Sequence, residues 1–212
     1  MSQTELQRVN TDLATMKSVL GDDPPYDRAD AMVQFWAAGA GAIWAGLELA
    51  ELRGFVRPVM LCYTVMLSVY LVPQFRKMRE RRAERPRRWR TFRAETIGSL
   101  VATPLLIGYV LWISLVVHPG ETWDHRAWLL MLAAPIALFS GSLAMGSAIA
   151  DHTYLHRLGW GVALIPAGFI LTFCENRIQS AVVFGSAAII GGLSAGLILL
   201  WQLRRLETTR GD

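Results

Sequence analysis

The chain has 212 residues, of which 53% are hydrophobic and only 18% are charged, with a formal net charge of +4. A soluble domain carries about a quarter charged residues, so this composition argues against a soluble globular protein. The apolar residues form long blocks, which predicts an all-α polytopic membrane protein. Almost half of the 21 basic residues lie in one short stretch, so we expect membrane topology and not a nucleic-acid partner to explain the charge.

Residues 1–30 are predicted to form a short cytoplasmic amphipathic helix and a linker. An apolar residue recurs in steps of three and four, at Leu6, Val9, Leu13, Met16 and Leu20. This spacing places an apolar stripe on one helical face. The helix is too short and too polar to cross a membrane, and three placements are open: on the membrane, on the bundle, or against a partner or second copy. The polar start also predicts that there is no cleaved signal peptide.

Six apolar segments follow, each with roughly the 17–25 residues that a helix needs to cross a hydrocarbon layer of about 30 Å. The predicted spans are at about 31–50, 55–75, 96–117, 127–150, 158–174 and 180–203. They form one transmembrane domain, residues 31–203, followed by a cytoplasmic tail, residues 204–212. The prediction is therefore a bundle of six transmembrane helices.

The loop between the second and third predicted spans, residues 76–95, is strongly basic. Its ten basic residues are Arg76, Lys77, Arg79, Arg81, Arg82, Arg85, Arg87, Arg88, Arg90 and Arg93. Short basic loops stay in the cytoplasm, so alternation of the spans predicts that both termini are cytoplasmic. We expect a multi-pass membrane protein whose basic loop contacts anionic lipid headgroups, with an acidic partner protein as the alternative.

Three charged residues lie near the outward ends of the first two predicted spans. Glu48 and Glu51 are one helical turn apart, and Arg57 follows after a short loop. An ion pair at the outer interface would satisfy all three groups, which we favour over a substrate or proton site.

His152 and His156 have a spacing of four, which on a helix would place both imidazoles on one side, as two metal ligands require. A metal site needs further ligands, and Asp151 is the one carboxylate near them in the sequence. We therefore favour interfacial polar residues and expect no metal, no cofactor and no catalytic residues.

Small residues repeat every four positions on three predicted spans. They are Ala38, Ala42 and Gly46 on the first, Ser142, Gly146 and Ala150 on the fourth, and Gly192 and Gly196 on the sixth. Such stripes let helix backbones approach closely in a membrane. Packing within one bundle is the preferred interpretation, with a homodimer interface as the alternative. Cys62 and Cys174 are predicted to be packing residues, and a bridge between them is left open.

Several stretches of the chain have a familiar pattern: Asp12 to Leu20, Pro135 to Gly141 with the run from Asp151 to Trp160, and the last span ending in Leu203, Arg204 and Arg205. In these stretches the chain resembles a family of small bacterial six-span inner-membrane proteins whose activity is not established. The resemblance implies the architecture and a location in the bacterial inner membrane, and it assigns no functional residues.

Three classes of function are consistent with these features. The first is a non-enzymatic scaffold, sensor or partner subunit that uses the N-terminal helix and the basic loop. The second is a small transporter for an apolar or amphipathic solute, with a polar cavity lined by Ser99, Thr103, Ser140 and Ser142. The third is a metal site or membrane enzyme that uses His152 and His156.

Overall fold

The computed structural model describes residues 26–80 and 129–211, together with the single residues 93, 97, 101, 105, 108, 109 and 112. Every regular element in this part of the chain is helical, which confirms the all-α prediction there. The α helices are α1 (Arg28–Leu49), α2 (Arg53–Glu80), α3 (Ala134–Ala150), α4 (Arg157–Leu171) and α5 (Arg177–Gly211). A π-helical turn, Leu129–Ala133, leads into α3, and a 3-10 turn, His152–Tyr154, joins α3 to α4.

Three of these helices are long and apolar enough to cross a membrane, over Gly54–Gln74, Leu129–Ala150 and Arg177–Thr208. This is consistent with a membrane protein, but it does not support the predicted six spans. The first predicted span forms α1, whose apolar run is weakened by Gln34 and Glu48. The fifth forms α4, whose 15 residues extend only about 22 Å at 1.5 Å per residue. Most of the third, 96–117, lies outside the described residues.

Local interactions set both ends of α1. The Asp27 carboxylate accepts hydrogen bonds from the backbone N–H groups of Ala29, at 2.8 Å, and Asp30, at 3.3 Å. The Asp30 carboxylate accepts from the Asp27 N–H at 2.6 Å, which completes a reciprocal capping box. At the other end Glu51 has φ 58°, and the Leu52 N–H donates to the Leu47 carbonyl at 2.9 Å. This left-handed residue ends α1 and turns the chain into α2.

The π-helical turn before α3 is explained by Pro135. Proline has no N–H to donate, and its ring collides with the carbonyl four residues earlier in a regular α-helix. A π-helical turn directly before Pro135 widens the helix locally. Single π-helical turns of this kind are a common irregularity within α-helices. The helix continues as regular α from Ala134 to Ala150.

The helices pack side by side in the order α3, α4, α5, α1 and α2. Their contacts are made largely by small residues. Ala163, Ala167 and Ala187 form one buried cluster between α4 and α5, and Ala133, Ala134 and Ala137 contribute to another around Leu171. Small side chains let the helix axes approach closely, which replaces a core of large residues by backbone-to-backbone contact.

The bundle has two distinct polar ends. At one, Tyr26 packs against Tyr154 and His156, and the Gln202 amide donates to the His152 carbonyl at 3.1 Å. We call it the histidine end. At the other, Glu48 at the end of α1 meets Arg177 at the start of α5, and we call it the Glu48 end. Neighbouring helices therefore run in opposite directions.

Candidate functional site

The predicted small-residue stripes divide into packed and outward-facing positions. Gly192 of α5 lies against the backbone of α1 at Gln34 and Ala38, and Gly196 lies against the ring of Phe35. Ala38 is buried, whereas the remaining members are exposed. Those exposed positions are Ala42, Gly46, Ser142, Gly146 and Ala150. The α5 stripe thus packs within the bundle, as preferred from the sequence, and the α3 stripe lies on its outer surface.

The structure gives Glu48 a different partner from the one predicted. Its carboxylate is fully buried and accepts hydrogen bonds from Arg177, at 3.1 Å from Nε and 3.0 Å from the terminal nitrogen. The predicted partner, Arg57, lies exposed on α2, and Glu51 is exposed in the turn. Sequence proximity suggested Arg57, but the antiparallel packing of α1 and α5 brings in a residue 129 positions away.

The two histidines do not share a helical face. The chain between them is a 3-10 turn followed by a hydrogen-bonded turn, so the four-residue spacing does not have its helical meaning. His152 is exposed, whereas His156 is only 5% exposed and stands at the N-terminal cap of α4. The regular helix on which this spacing would place both imidazoles on one side is therefore not formed here.

His156 lines a cavity of about 470 Å³ at the histidine end, between α1, α3 and α4. The other lining residues are Gln34, Ser140, Leu143, Ala144, Arg157, Trp160 and Leu164. The Trp160 indole N–H donates to the Gln34 side-chain oxygen at 2.7 Å, which fixes one wall. Of the four residues predicted for a transport cavity, Ser140 lines this one and Ser142 lies outside it. Ser99 and Thr103 lie outside the described residues.

Gln34, Trp160 and Tyr26 are site residues that the sequence reasoning missed. Gln34 is the polar residue nearest the start of the first predicted span, and its isolation among apolar neighbours was a usable signal. Tyr26 lies in the predicted linker, and its ring packs edge to face against His156 with centroids 4.5 Å apart. Nothing in the local sequence connects Tyr26 with a residue 130 positions later.

The described part of the basic stretch lies at the histidine end, because α2 runs antiparallel to α1. Tyr63 of α2 donates a hydrogen bond to the Trp36 carbonyl at 2.6 Å, and the chain from there reaches Arg76, Lys77 and Arg79, all exposed. Arg93 is a single exposed helical residue. The other predicted contact residues lie outside the described residues: Arg81, Arg82, Arg85, Arg87, Arg88 and Arg90.

The two cysteines are both free thiols. Cys62 is exposed on α2 and Cys174 is buried after α4. The bridge that the sequence left open is therefore not formed in this structure.

The buried position of His156 has a titration consequence. Burial, and secondarily the positive charge of Arg157, lower the pKa of His156 from 6.5 to about 4. A histidine with a depressed pKa in the folded state stabilises the protein above pH 6.5 and loses that contribution as the pH falls toward 4. The full shift corresponds to roughly 3 kcal/mol.

We therefore expect the thermal unfolding midpoint of the purified protein to fall between pH 7.5 and pH 5. The variant His156→Gln should show a smaller fall, because the group that gains a proton on unfolding is absent. The exposed His152 supplies the control, since His152→Gln should keep the wild-type pH dependence. Equal pH profiles for wild type and His156→Gln would contradict the prediction. Tyr26, whose ring packs against His156, and Arg157, whose charge acts on it, remain unchanged in both variants.

The cavity combines an imidazole, an amide, a hydroxyl and a guanidinium group with an apolar wall. A cavity lined in this way can hold a small molecule by hydrogen bonds and apolar contacts. Among the described residues, no three His, Cys, Asp or Glu side chains come close enough to hold a metal ion. In comparisons with known proteins, no family model, no curated protein and no solved structure matches the chain.

Proposed function

We propose that the chain is a non-enzymatic membrane component, a scaffold, sensor or partner subunit that contacts a membrane protein or a second copy at its histidine end. The observation that carries the proposal is the charge distribution along the bundle. Exposed basic residues gather at the histidine end: Arg28, Arg76, Lys77, Arg79, Arg204 and Arg205. The point where residues 1–25 join α1 lies at the same end.

The same asymmetry supports a cytoplasmic location for the histidine end in a bacterial inner membrane, because short basic segments stay on the cytoplasmic side. On this proposal both termini are cytoplasmic. The basic stretch that begins at Arg76 then lies near anionic lipid headgroups, which attract each Lys or Arg by about 1 kcal/mol.

We further propose that the complete bundle has six spans. α4 packs between α3 and α5, and both of these helices are long enough to cross a membrane. The two ends of α4 therefore face the same two sides of the membrane as the ends of its neighbours. α1 packs along α5 in the same way. The predicted span at 96–117, most of which lies outside the described residues, would be the sixth.

α2 is the helix best placed for lateral contact within the membrane. None of its apolar window, Gly54–Gln74, is buried, and its contact with the rest of the described bundle is through α1. The ring of Tyr63 packs at a tilt of 59° against Trp36, with centroids 4.8 Å apart, and anchors α2 there. Its outer face is therefore available to lipid or to another membrane helix.

Deleting residues 1–22 tests the proposal. We expect the full chain, solubilised in a mild detergent, to have a native mass larger than one copy, because a partner or second copy is retained. The deleted form should have the mass of a single chain, because the predicted apolar stripe of the N-terminal helix is lost. The matched control removes an exposed charge near the opposite end of the bundle, Arg57→Gln, and should keep the larger mass. A single-copy mass for the full chain would overturn the proposal.

A small transporter for an amphipathic solute is the second candidate, and the position of Ser140 in the cavity favours it. The two candidates differ in one measurable respect. Reconstituted vesicles should show solute flux that depends on the protein if it transports, and no such flux if it is a scaffold.

A further inference from the structure

The cavity at the histidine end is lined by His156, and one buried atom of this side chain carries the argument. The Nδ1 atom of His156 is buried and has no hydrogen-bond partner among the described residues. A buried polar atom without a partner costs about 1–3 kcal/mol. Native structures rarely retain that cost without a reason, and contact with an ordered water or a ligand is a common one.

The charge of the cavity selects the kind of ligand. Arg157 contributes a guanidinium group, which lies over the Tyr154 ring at 4.4 Å from its centroid. None of the described lining residues is acidic. Ser140 adds a hydroxyl group, and Gln34 adds an amide whose oxygen is already bound to Trp160. This polar wall therefore favours a group that accepts hydrogen bonds and carries negative charge.

The opposite wall is apolar and open. Leu143, Ala144 and Leu164 line it, and Leu143 is 59% exposed on the outer surface of α3. A molecule held at Arg157 can therefore extend an apolar chain past Leu143 to the outside of the bundle. The volume lies within the range of about 300–1,000 Å³ that is usual for small-molecule sites.

We propose that this cavity binds one anionic amphiphile, with its charged head at Arg157 and His156 and its apolar chain along Leu143, Ala144 and Leu164. The head can be a carboxylate or a phosphate, since both accept hydrogen bonds from a guanidinium group. Two sources share this chemistry: a free long-chain acid and the headgroup of a membrane phospholipid. The proposed binding site is the same whether the protein transports this ligand or only binds it.

Native mass spectrometry of the full chain in a non-ionic detergent tests the proposal with dodecanoate, dodecyl phosphate, dodecanol and inorganic phosphate as probes. We expect one molecule of dodecanoate or dodecyl phosphate to bind at least tenfold more tightly than dodecanol, which lacks the charge. Inorganic phosphate should bind at least tenfold more weakly as well, because it lacks the chain. Equal affinity for dodecanol or for inorganic phosphate would overturn the proposal.

Two pairs of variants test whether the molecule binds in this cavity. Arg157→Gln should weaken dodecanoate binding at least tenfold, whereas Arg204→Gln, an exposed arginine at the same end, should not. Ala144→Phe should fill the cavity and abolish binding, whereas Ala150→Phe, at the exposed end of the same helix, should leave binding intact. If both members of either pair have the same effect, the molecule binds elsewhere.

A second measurement does not depend on the variants folding. Dodecanoate added to wild-type protein labelled with ¹⁵N at histidine should shift the imidazole resonances of His156 and leave those of His152 unchanged. An unchanged His156 at saturating dodecanoate would count against the site. Competition by phosphatidylglycerol then identifies the source: displacement of dodecanoate indicates a phospholipid headgroup, and retention indicates a free acid.

Discussion

Replacing Arg177 by glutamine is expected to lower the free energy of unfolding by about 3 kcal/mol, the lower end of the range for removing one partner of a buried ion pair, because the Arg177 side chain is itself 58% exposed. Glu48 is fully buried, so its charge depends on protein groups and not on water. The dipoles of the two helices do not stabilise these charges. A carboxylate at the C-terminal end of α1 and a cation at the N-terminal end of α5 are each placed against their helix dipole. The ion pair offsets both.

Chemical unfolding in detergent measures this cost, and a double-mutant cycle isolates it. In a Glu48→Gln background, Arg177→Gln should cost less than about 1 kcal/mol, because no buried charge loses its partner. Arg57→Gln is the matched control, an exposed arginine on the neighbouring helix, and should change stability by less than about 0.5 kcal/mol. If Arg177→Gln is no more costly than Arg57→Gln, the pair does not stabilise the fold.

Replacing Gly192 by alanine is expected to have an effect of similar size for a steric reason. An added Cβ would lie 2.5 Å from the Gln34 carbonyl oxygen and 2.8 Å from the Ala38 backbone nitrogen. These are backbone atoms of α1, so no side chain can rotate away, and α1 and α5 must separate. Overpacking of this kind costs about 1–3 kcal/mol, and we expect the upper end, measured as a lower midpoint of thermal unfolding.

Gly146 supplies the opposite control within the same protein. No described atom lies within 4 Å of the position that its added Cβ would occupy. Gly146→Ala should therefore raise stability by about 0.5–1 kcal/mol, the difference in helix propensity between the two residues. A loss of stability in both variants would show that helix packing in this bundle does not discriminate the two faces.

The helical class and the approximate positions of the described helices were predictable from the sequence. Long apolar blocks are a property of composition along the chain, and they predicted helices that overlap α2, α3 and α5. The α2 and α5 helices continue five and eight residues beyond the predicted ends, and α3 begins seven residues after the predicted start. Gly192 and Gly196 were also recognisable, because a spacing of four has a direct meaning on a helix. The spacing of His152 and His156 does not have this helical meaning, because a 3-10 turn begins at His152.

The sequence by itself determined that the protein forms helices, that three of the described helices are apolar enough to cross a membrane, and that positive charge is concentrated in one stretch. Only the tertiary structure decided which residues meet. It paired Glu48 with Arg177 and not with Arg57, and it enclosed His156 with Tyr26 and Gln34. The physical reason is that helix formation depends on neighbours within one or two turns, whereas these contacts depend on which helices pack together and in which direction.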